Sequence, residues 1–273
     1  MPASALAFAI GAAFLHAFWN LLLARAKDTE SATAAALLVS IVVFAPVAAL
    51  RWHAESRVWP FIVVTSLLQL LYFALLATAY RRSELSVVYP LARGLAPVLV
   101  LVVGATVLSA ATSASQIVGV CLVVAGVLLV RGLRRPTAST GVGFGLAIAV
   151  VIAAYTLVDK HGIRYAGPIT YLELSMIPAT FGFVGGVVVA KGRSAVRAEL
   201  STATFLAGLA TFGAYALVLA ALERASAASV AAVRETSVVI ATALAAPVLR
   251  ERVGAARLAG AVLVVSGVAL LGL

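Results

Sequence analysis

Two arginines stand inside long apolar stretches of the sequence, where a charge is most costly. Arg93 and Arg234 are 141 residues apart, and each lies seven residues into an apolar run. An ionised side chain at the centre of a membrane helix costs on the order of 2.5–3.5 kcal/mol, so it needs a wet cavity or a partner. Guanidinium groups donate in a fork that suits carboxylate and phosphonate oxygens. The two residues therefore predict an anion-binding site, the alternative being arginines that reach lipid headgroups.

Polar and aromatic side chains on nearby apolar runs predict the rest of that site. His16, Trp19 and Asn20 are spaced i, i+3, i+4 and share one helix face, and Gln69 and Tyr72 are spaced i, i+3. Hydrogen bonds between packed helices explain such faces equally well. The remaining predicted substrate-binding residues are Tyr89, Tyr155 and Tyr215.

Two acidic residues inside the apolar runs are candidates for carrying a coupling proton. Glu173 lies six residues into its run, and an interfacial ion pair with Lys160 or Arg164 is the favoured alternative for it. Glu235 directly follows Arg234, so the two side chains point about 100° apart on a helix. Glu235 is therefore free to form a salt bridge with a different helix.

The composition predicts the elements that position these residues. Apolar residues make up 63% of the chain, only 11% are charged, and the mean hydropathy is +1.12. With roughly 20 residues needed for each crossing, the sequence predicts an all-α integral membrane protein with ten transmembrane helices. The predicted spans are 4–24, 32–50, 58–80, 86–108, 114–130, 140–160, 167–190, 201–222, 227–249 and 254–272.

The offset of 141 residues also relates two pairs of glycines. Gly119 maps onto Gly260, and Gly126 maps onto Gly267, which indicates an internal repeat. Five spans in each copy make the second copy enter the bilayer from the opposite side, as in the inverted repeats of secondary transporters. We place the two five-helix repeats at residues 1–133 and 134–273, and we expect the glycines to allow close helix packing.

Several classes of function are disfavoured by what the sequence lacks. No metal-ligand spacing and no catalytic motif occurs, the three histidines are scattered, and the lone Cys121 lies among apolar residues. We expect neither an enzyme nor a cofactor or metal. The net charge of +10 comes from basic residues spread over separate loops, which is a membrane pattern and not that of a nucleic-acid-binding surface.

The loop charges bear on orientation. With ten spans, the loops on the side of the two termini hold five basic residues, whereas the opposite loops hold thirteen. The positive-inside rule taken alone thus places both termini outside the cytoplasm.

Three stretches of the chain resemble the EamA-type transporters of the drug/metabolite transporter superfamily. They are residues 86–93 (SVVYPLAR), 229–237 (SVAAVRETS) and 249–252 (LRER), followed by Gly260 and Gly267. The resemblance covers essentially the whole chain, although residues 108–111 (LSAA) lack the charges that many relatives carry at that place. Residues 16–20 (HAFWN) and 89–93 (YPLAR) resemble a branch with permeases found near phosphonate-utilisation genes.

This resemblance implies ten helices in two inverted repeats, a central cavity lined by both halves, and export or exchange of small metabolites. It also implies cytoplasmic termini, and we follow it over the loop charges. The sequence hypothesis is a secondary transporter of a small anionic or zwitterionic metabolite in a bacterial inner membrane, as a monomer or homodimer, with protons as possible coupling ions. The alternatives are an exporter of organic cations, which calls for an intramembrane carboxylate, and a membrane scaffold that transports nothing.

Overall fold

The computed structural model describes residues 1–83, 85–131, 139–249 and 255–272, with the backbone alone at residues 80, 85–87, 89, 90, 131, 139, 242 and 244–249. Regular structure in these ranges is helical, apart from an isolated bridge between Ala54 and Ala166. The α-helices are α1 (Ala3–Leu23), α2 (Thr29–Leu50), α3 (Trp59–Arg82), α4 (Leu85–Thr106), α5 (Ala114–Arg131), α6 (Ser139–Gly162), α7 (Pro168–Lys191), α8 (Arg193–Ala198), α9 (Thr202–Arg224), α10 (Ala227–Arg234), α11 (Thr236–Leu249) and α12 (Ala255–Gly272).

Within the described ranges, seven helices are long and apolar enough to cross a membrane, namely α1, α2, α3, α6, α7, α9 and α12. Shorter apolar stretches occupy Leu91–Thr106 in α4 and Ala114–Val130 in α5. Lipid offers no hydrogen bonds to an exposed backbone, so an apolar chain of this kind satisfies its peptide groups within helices. The prediction of an all-α, multi-pass membrane protein is confirmed.

Helix starts follow from local sequence. Asp28 and Ser226 cap α2 and α10, because their side-chain oxygens accept hydrogen bonds from the first free backbone N–H groups. Pro60 and Pro168 open α3 and α7, at positions where a missing N–H costs little.

The repeated glycines lie where α5 crosses α12. A Cβ atom added to Gly126 would lie 2.5 Å from the carbonyl oxygen of Gly260, and one added to Gly260 would lie 2.6 Å from the oxygen of Gly126. Gly119 and Gly267 form a second contact, with corresponding distances of 3.0 and 2.6 Å. The expected role of Gly119 and Gly126 in close packing is confirmed. The 141-residue offset turns the Gly126–Gly260 contact into the Gly267–Gly119 contact, so the two contacts are equivalent to each other across an antiparallel helix pair.

The ninth predicted span, 227–249, is not one helix. The chain turns at Glu235, so that α10 ends at Arg234 and α11 begins at Thr236. Two short backbone bonds tighten the turn, from Glu235 N to Ala232 O and from Val238 N to Glu235 O, both at 3.0 Å. The Thr236 hydroxyl donates to the carbonyl oxygen of Val233 at 2.8 Å. The prediction of a continuous helix was wrong because these short backbone bonds and the Thr236 hydroxyl satisfy backbone groups that an unbroken helix would pair.

The two chain ends lie at one face of the helix bundle. The amino group of Met1 donates to the carbonyl oxygen of Leu271 at 2.8 Å. On that same face, the loop before α3 pairs with the loop before α7. Glu55 N donates to Tyr165 O at 2.8 Å, and Gly167 N donates to His53 O at 3.0 Å. These bonds tie α2, α3, α6 and α7 together at this end.

Candidate functional site

A cavity of about 640 Å³ lies among the helices. Its wall is formed by residues of α1, α2, α3 and α4 and by residues of α6, α7, α9, α10 and α11, so both sequence copies contribute. Small side chains such as Ala13 and Ala17 of α1 leave the space that the larger polar and aromatic groups surround. A volume of this size is typical of small-molecule sites.

Nearly all the substrate-binding residues predicted from the sequence lie on this wall. Tyr89 alone is not placed, because it lies on α4 with its side chain outside the described part of the structure. The wall includes His16, Trp19, Asn20, Gln69, Tyr72, Arg93, Tyr155, Tyr215 and Arg234. Residues from six different helices therefore meet around one space.

Aromatic rings form one side of the cavity. Tyr155 contacts Tyr72 at 6.2 Å and Tyr215 at 6.0 Å between ring centroids, both edge to face. On α1, the Trp19 indole N–H donates to His16 Nδ1 at 3.2 Å, and the Asn20 amide donates to the His16 carbonyl oxygen at 2.7 Å. Both contacts hold the polar face of α1 in place from within its own helix.

Arg93 connects α4 to the broken helix of the other copy. Its Nε lies 3.1 Å from Glu235 Oε2, and its Nη2 donates to Ser237 Oγ at 3.1 Å. Arg93 and Glu235 are both buried. The hypothesis that Glu235 bridges to a different helix is confirmed by this ion pair, which matches the Arg93 charge with a carboxylate.

Arg234 stands at the end of α10 in a different environment. Its guanidinium carbon lies 5.7 Å from the centre of the Tyr215 ring, a cation–π distance. No ion pair of Arg234 occurs among the described residues, although it lies close enough to Asp159 to attract its carboxylate. Applied to Arg93 and its partners, the 141-residue offset turns Glu235 into Gly94 and Ser237 into Ala96. Arg234 therefore lacks counterparts of the two side chains that hold Arg93.

Asp159 is a polar residue of the site that the sequence did not reveal. It is wholly buried on α6, and its carboxylate accepts hydrogen bonds from the hydroxyls of Thr65, Tyr171 and Tyr215. In the sequence it precedes Lys160 at the end of an apolar run, the usual pattern of an interfacial charge pair. Its three donors lie on α3, α7 and α9, so no local pattern announces them.

Glu173 lies on α7 and differs from Glu235. The ion pair with Lys160 or Arg164 that the sequence favoured is wrong, since Glu173 is buried and neither carboxylate oxygen has a hydrogen-bond partner in the described structure. Lys160 instead donates to the carbonyl oxygen of Leu222. Glu173 also stands outside the described wall of the cavity.

A charged cluster lies at the face opposite the chain ends. Lys191 is 2.8 Å from oxygens of both Asp28 and Glu30, and Arg81 is 2.7 Å from Glu30. Burial favours the neutral form of Asp28, but hydrogen bonds from Lys191 and Ser31 outweigh that effect and hold the pKa of Asp28 below its usual value. The cluster joins the start of α2 to the ends of α3 and α7, near the cavity residues Ala24 and Thr29.

Helices that cross a membrane around a shared polar cavity define a membrane transport protein. The chain belongs to the EamA-like transporter family, whose family model matches residues 3–132 and again residues 139–273. This is a family of transporters, not of enzymes. A solved crystal structure of a protein is similar over 100% of this chain and 99% of that chain, with a TM-score of 0.80 and 16% identity, which shows the fold alone. No curated protein matches the chain in sequence.

Proposed function

We propose that the protein carries a small anionic or zwitterionic metabolite, such as an amino acid or related organic acid, out of the cell or in exchange. One observation supports a substrate with a negative charge over an organic cation. The residues of fixed charge on the described cavity wall are two arginines, Arg93 and Arg234, and no carboxylate is among them. An organic cation would meet positive potential there, whereas an anion would find forked donors.

Of the two arginines, Arg234 is our principal group for the substrate's negative charge. Glu235 already matches the charge of Arg93, and Arg93 also donates to Ser237. In the first copy, the residues that correspond to Glu235 and Ser237 are Gly94 and Ala96, which offer no carboxylate and no hydroxyl. A carboxylate or phosphonate of the substrate would supply the missing partner. The aromatic groups Tyr72, Tyr155 and Trp19 would enclose the rest of the molecule.

We further propose ten crossings in two inverted repeats, 1–133 and 134–273. To the seven long helices this adds α4, α5 and the consecutive pair α10–α11. The exchanged glycine contacts of α5 and α12 support it, because a twofold axis perpendicular to an antiparallel pair inverts one copy onto the other. Helices broken near the membrane midplane are common at transporter binding sites, and α10 and α11 meet at Arg234. Rocking of one repeat against the other would give alternating access.

The test is substrate-dependent stabilisation of the purified protein. A ligand that binds only the folded state raises the melting temperature, so we would screen amino acids, dicarboxylates and phosphonates, with tetraphenylphosphonium as the cation. Arg234→Gln should weaken binding of the best anion by about tenfold or more, since a charge-assisted hydrogen bond contributes about 1.5–3 kcal/mol. Arg234→Lys, which keeps the charge without the fork, should recover part of it.

Arg224→Gln is the matched control, because Arg224 belongs to the same copy but lies exposed and pairs with Glu223. It should bind like the parent. Unchanged binding in Arg234→Gln would refute the role of Arg234. Stabilisation by tetraphenylphosphonium alone would establish the cation exporter instead, and the aromatic wall would then be its binding surface. Stabilisation by none of the compounds, with no uptake into proteoliposomes, would favour the scaffold.

For orientation we propose cytoplasmic termini in a bacterial inner membrane. Met1 and Leu271 lie at one face, so a single fusion reports on both ends. A C-terminal green fluorescent protein should fluoresce, and a C-terminal alkaline phosphatase should be inactive. The reverse pattern would show that loop charge sets the orientation of this chain and that the termini lie outside.

A further inference from the structure

Asp159 differs from the other buried acids in the kind of partner it has. Thr65 Oγ1 donates to Asp159 Oδ1 at 2.6 Å, the Tyr171 hydroxyl donates to the same oxygen at 2.9 Å, and the Tyr215 hydroxyl donates to Oδ2. Burying an ionised carboxylate is costly unless hydrogen bonds replace water, and three donors do so here. Asp159 forms no salt bridge in the described structure.

Hydroxyl partners suit both protonation states of the acid. A hydroxyl donates and accepts, whereas a guanidinium only donates. When Asp159 carries a proton on Oδ2, that proton can be donated to the Tyr215 oxygen, and the Tyr215 hydrogen is released for another acceptor. The Thr65 and Tyr171 hydroxyls lie 2.9 Å apart. Thr65 can therefore donate to the Tyr171 oxygen while the Tyr171 hydroxyl donates to Asp159 Oδ1. Glu235, which faces the guanidinium of Arg93, has no such second arrangement with that partner.

Tyr215 connects this buried acid to the cavity. Its ring lies on the cavity wall under the guanidinium of Arg234, and its hydroxyl reaches Asp159. The titratable and charged groups that face Asp159 in the described structure are Tyr155 on its own helix, Tyr171 on α7, Tyr215 on α9 and Arg234 on α10. Arg93, on α4, interacts electrostatically with Tyr155. Among the described groups that face Asp159, Arg234 is the one cation, and Tyr215 contacts both it and Asp159.

We propose that Asp159 is a proton-binding site coupled, through Tyr215 and Arg234, to the substrate's negative charge. An anion on Arg234 cancels part of the positive potential that favours the ionised form of Asp159, so anion binding favours proton uptake. By reciprocity, a proton on Asp159 favours anion binding, and the released Tyr215 hydrogen becomes a donor toward the cavity. Proton and anion would then move together. The coupling to anion binding rests on the proposed function, whereas the proton site on Asp159 does not.

The sequence allows an unusually direct test, because Asp28 and Asp159 are its only aspartates. Protein made with ¹³C-labelled aspartate in a Asp28→Asn background carries one labelled carboxyl group. Infrared titration of that protein in lipid should show a labelled carboxylic-acid band that disappears as the pH rises. Adding Arg234→Gln should move the midpoint upward by about one pH unit or more, because a positive neighbour is lost. Arg224→Gln should not move it.

Tyr215→Phe keeps the acid and the ring and removes one donor, so its midpoint should also rise. This variant decides the question without replacing Asp159. The proposal would be overturned if the labelled carboxylate never protonates between neutral pH and the acid limit of the folded protein. It would also be overturned if neither Arg234→Gln nor Tyr215→Phe shifts the titration midpoint.

L-glutamate and methylphosphonate are the anion probes. A probe that binds should raise the midpoint in the Asp28→Asn protein and not after Arg234→Gln, and binding without that shift would refute the coupling.

Failure of the proposed function gives a different result. If neither probe binds and Arg234→Gln still moves the midpoint, the anion assignment fails and the proton site stands. If a probe binds through Arg234 but the labelled carboxylic-acid band does not change with pH, the anion assignment stands and the proton site fails.

Discussion

Helix α4 and the pair α10–α11 occupy equivalent places in the two sequence copies, yet they treat the same arginine differently. Arg93 lies within an unbroken helix and meets Glu235 and Ser237 from the other copy. Arg234 ends a helix, and the residues that correspond to Glu235 and Ser237 in the first copy are Gly94 and Ala96. Residues 94–96 of the first copy are Gly-Leu-Ala, and the corresponding residues 235–237 of the second copy are Glu-Thr-Ser. At this difference the helix of the second copy is broken, and its Glu235 and Ser237 become the partners of Arg93. A repeat in sequence does not imply a repeat in chemistry.

The largest expected effect is on the Arg93–Glu235 pair. Arg93→Gln leaves a buried carboxylate without its cation, which should lower the free energy of unfolding by about 3–5 kcal/mol. Glu235→Gln should cost a similar amount. The double variant should recover most of the loss, because no uncompensated charge remains. Unfolding in mixed detergent micelles measures all three.

Arg224→Gln provides the scale, since its pair with Glu223 is exposed and contributes at most about 1 kcal/mol. If the double variant is as unstable as the sum of the single ones, the two residues act separately. The contrast between the two arginines would then lose its basis.

The second test asks where the two copies are alike. Gly126→Ala and Gly267→Ala, at equivalent positions, each place a Cβ atom about as close to a backbone oxygen of the other helix, at 2.5 and 2.6 Å. Each should therefore destabilise the protein, by roughly 1–3 kcal/mol, as the helices are forced apart. The two losses should agree within experimental error.

Gly143→Ala is the control, because a Cβ atom there has no neighbour within 4 Å in the described part of the chain and alanine favours a helix. It should be neutral or slightly stabilising. A large difference between Gly126→Ala and Gly267→Ala would mean that α5 and α12 do not make equivalent contacts.

These features show how far the sequence reaches. The apolar runs predicted the helices, and helix periodicity predicted side chains such as His16 and Gln69 that the structure places at one cavity. Asp159 could not be found this way, because its three hydroxyl partners are separated from it by up to 94 residues and lie on three other helices. The break at Glu235 did leave a signal. Alignment of the two copies places three polar residues against Gly94, Leu95 and Ala96, and that contrast was visible without a structure.

The third prediction restores the missing partner of Arg234. Gly94→Glu places a carboxylate at the position that Glu235 occupies in the other copy, and the described heavy atoms near a Cβ there belong to the flexible side chain of Leu128. The new charge should compete with an anionic ligand and weaken its binding on the order of tenfold.

Gly94→Gln has the same size and no charge, so it should bind the anion much better than Gly94→Glu does. Melting-temperature shifts with the best anion measure both variants. Equal binding by the Glu and Gln variants would show that the charge of Arg234 is not what the ligand uses.

The smallest expected effect concerns the starts of α2 and α7, which also occupy matching places. Asp28 caps α2 with a carboxylate, whereas α7 begins after Gly167 with no side-chain cap. The pKa of Asp28 is lowered in the folded protein, so ionised Asp28 stabilises the fold above the ordinary aspartate value of 3.8. That contribution is lost as the pH falls through the lower folded value. Asp28→Asn keeps a capping side chain but removes the charge that Lys191 binds.

At neutral pH the Asp28→Asn protein should be less stable than the parent by under about 1 kcal/mol, because the Asp28 and Lys191 side chains are each about a third exposed. The difference should shrink toward zero as the pH falls below 3.8. Gly167→Ser is the companion variant, since a hydroxyl there could cap α7 without adding a charge. Any stability it adds should not depend on pH in the same range. A difference between parent and Asp28→Asn that persists at the acid end would mean that shape at this cap, not its charge, distinguishes the two helix starts.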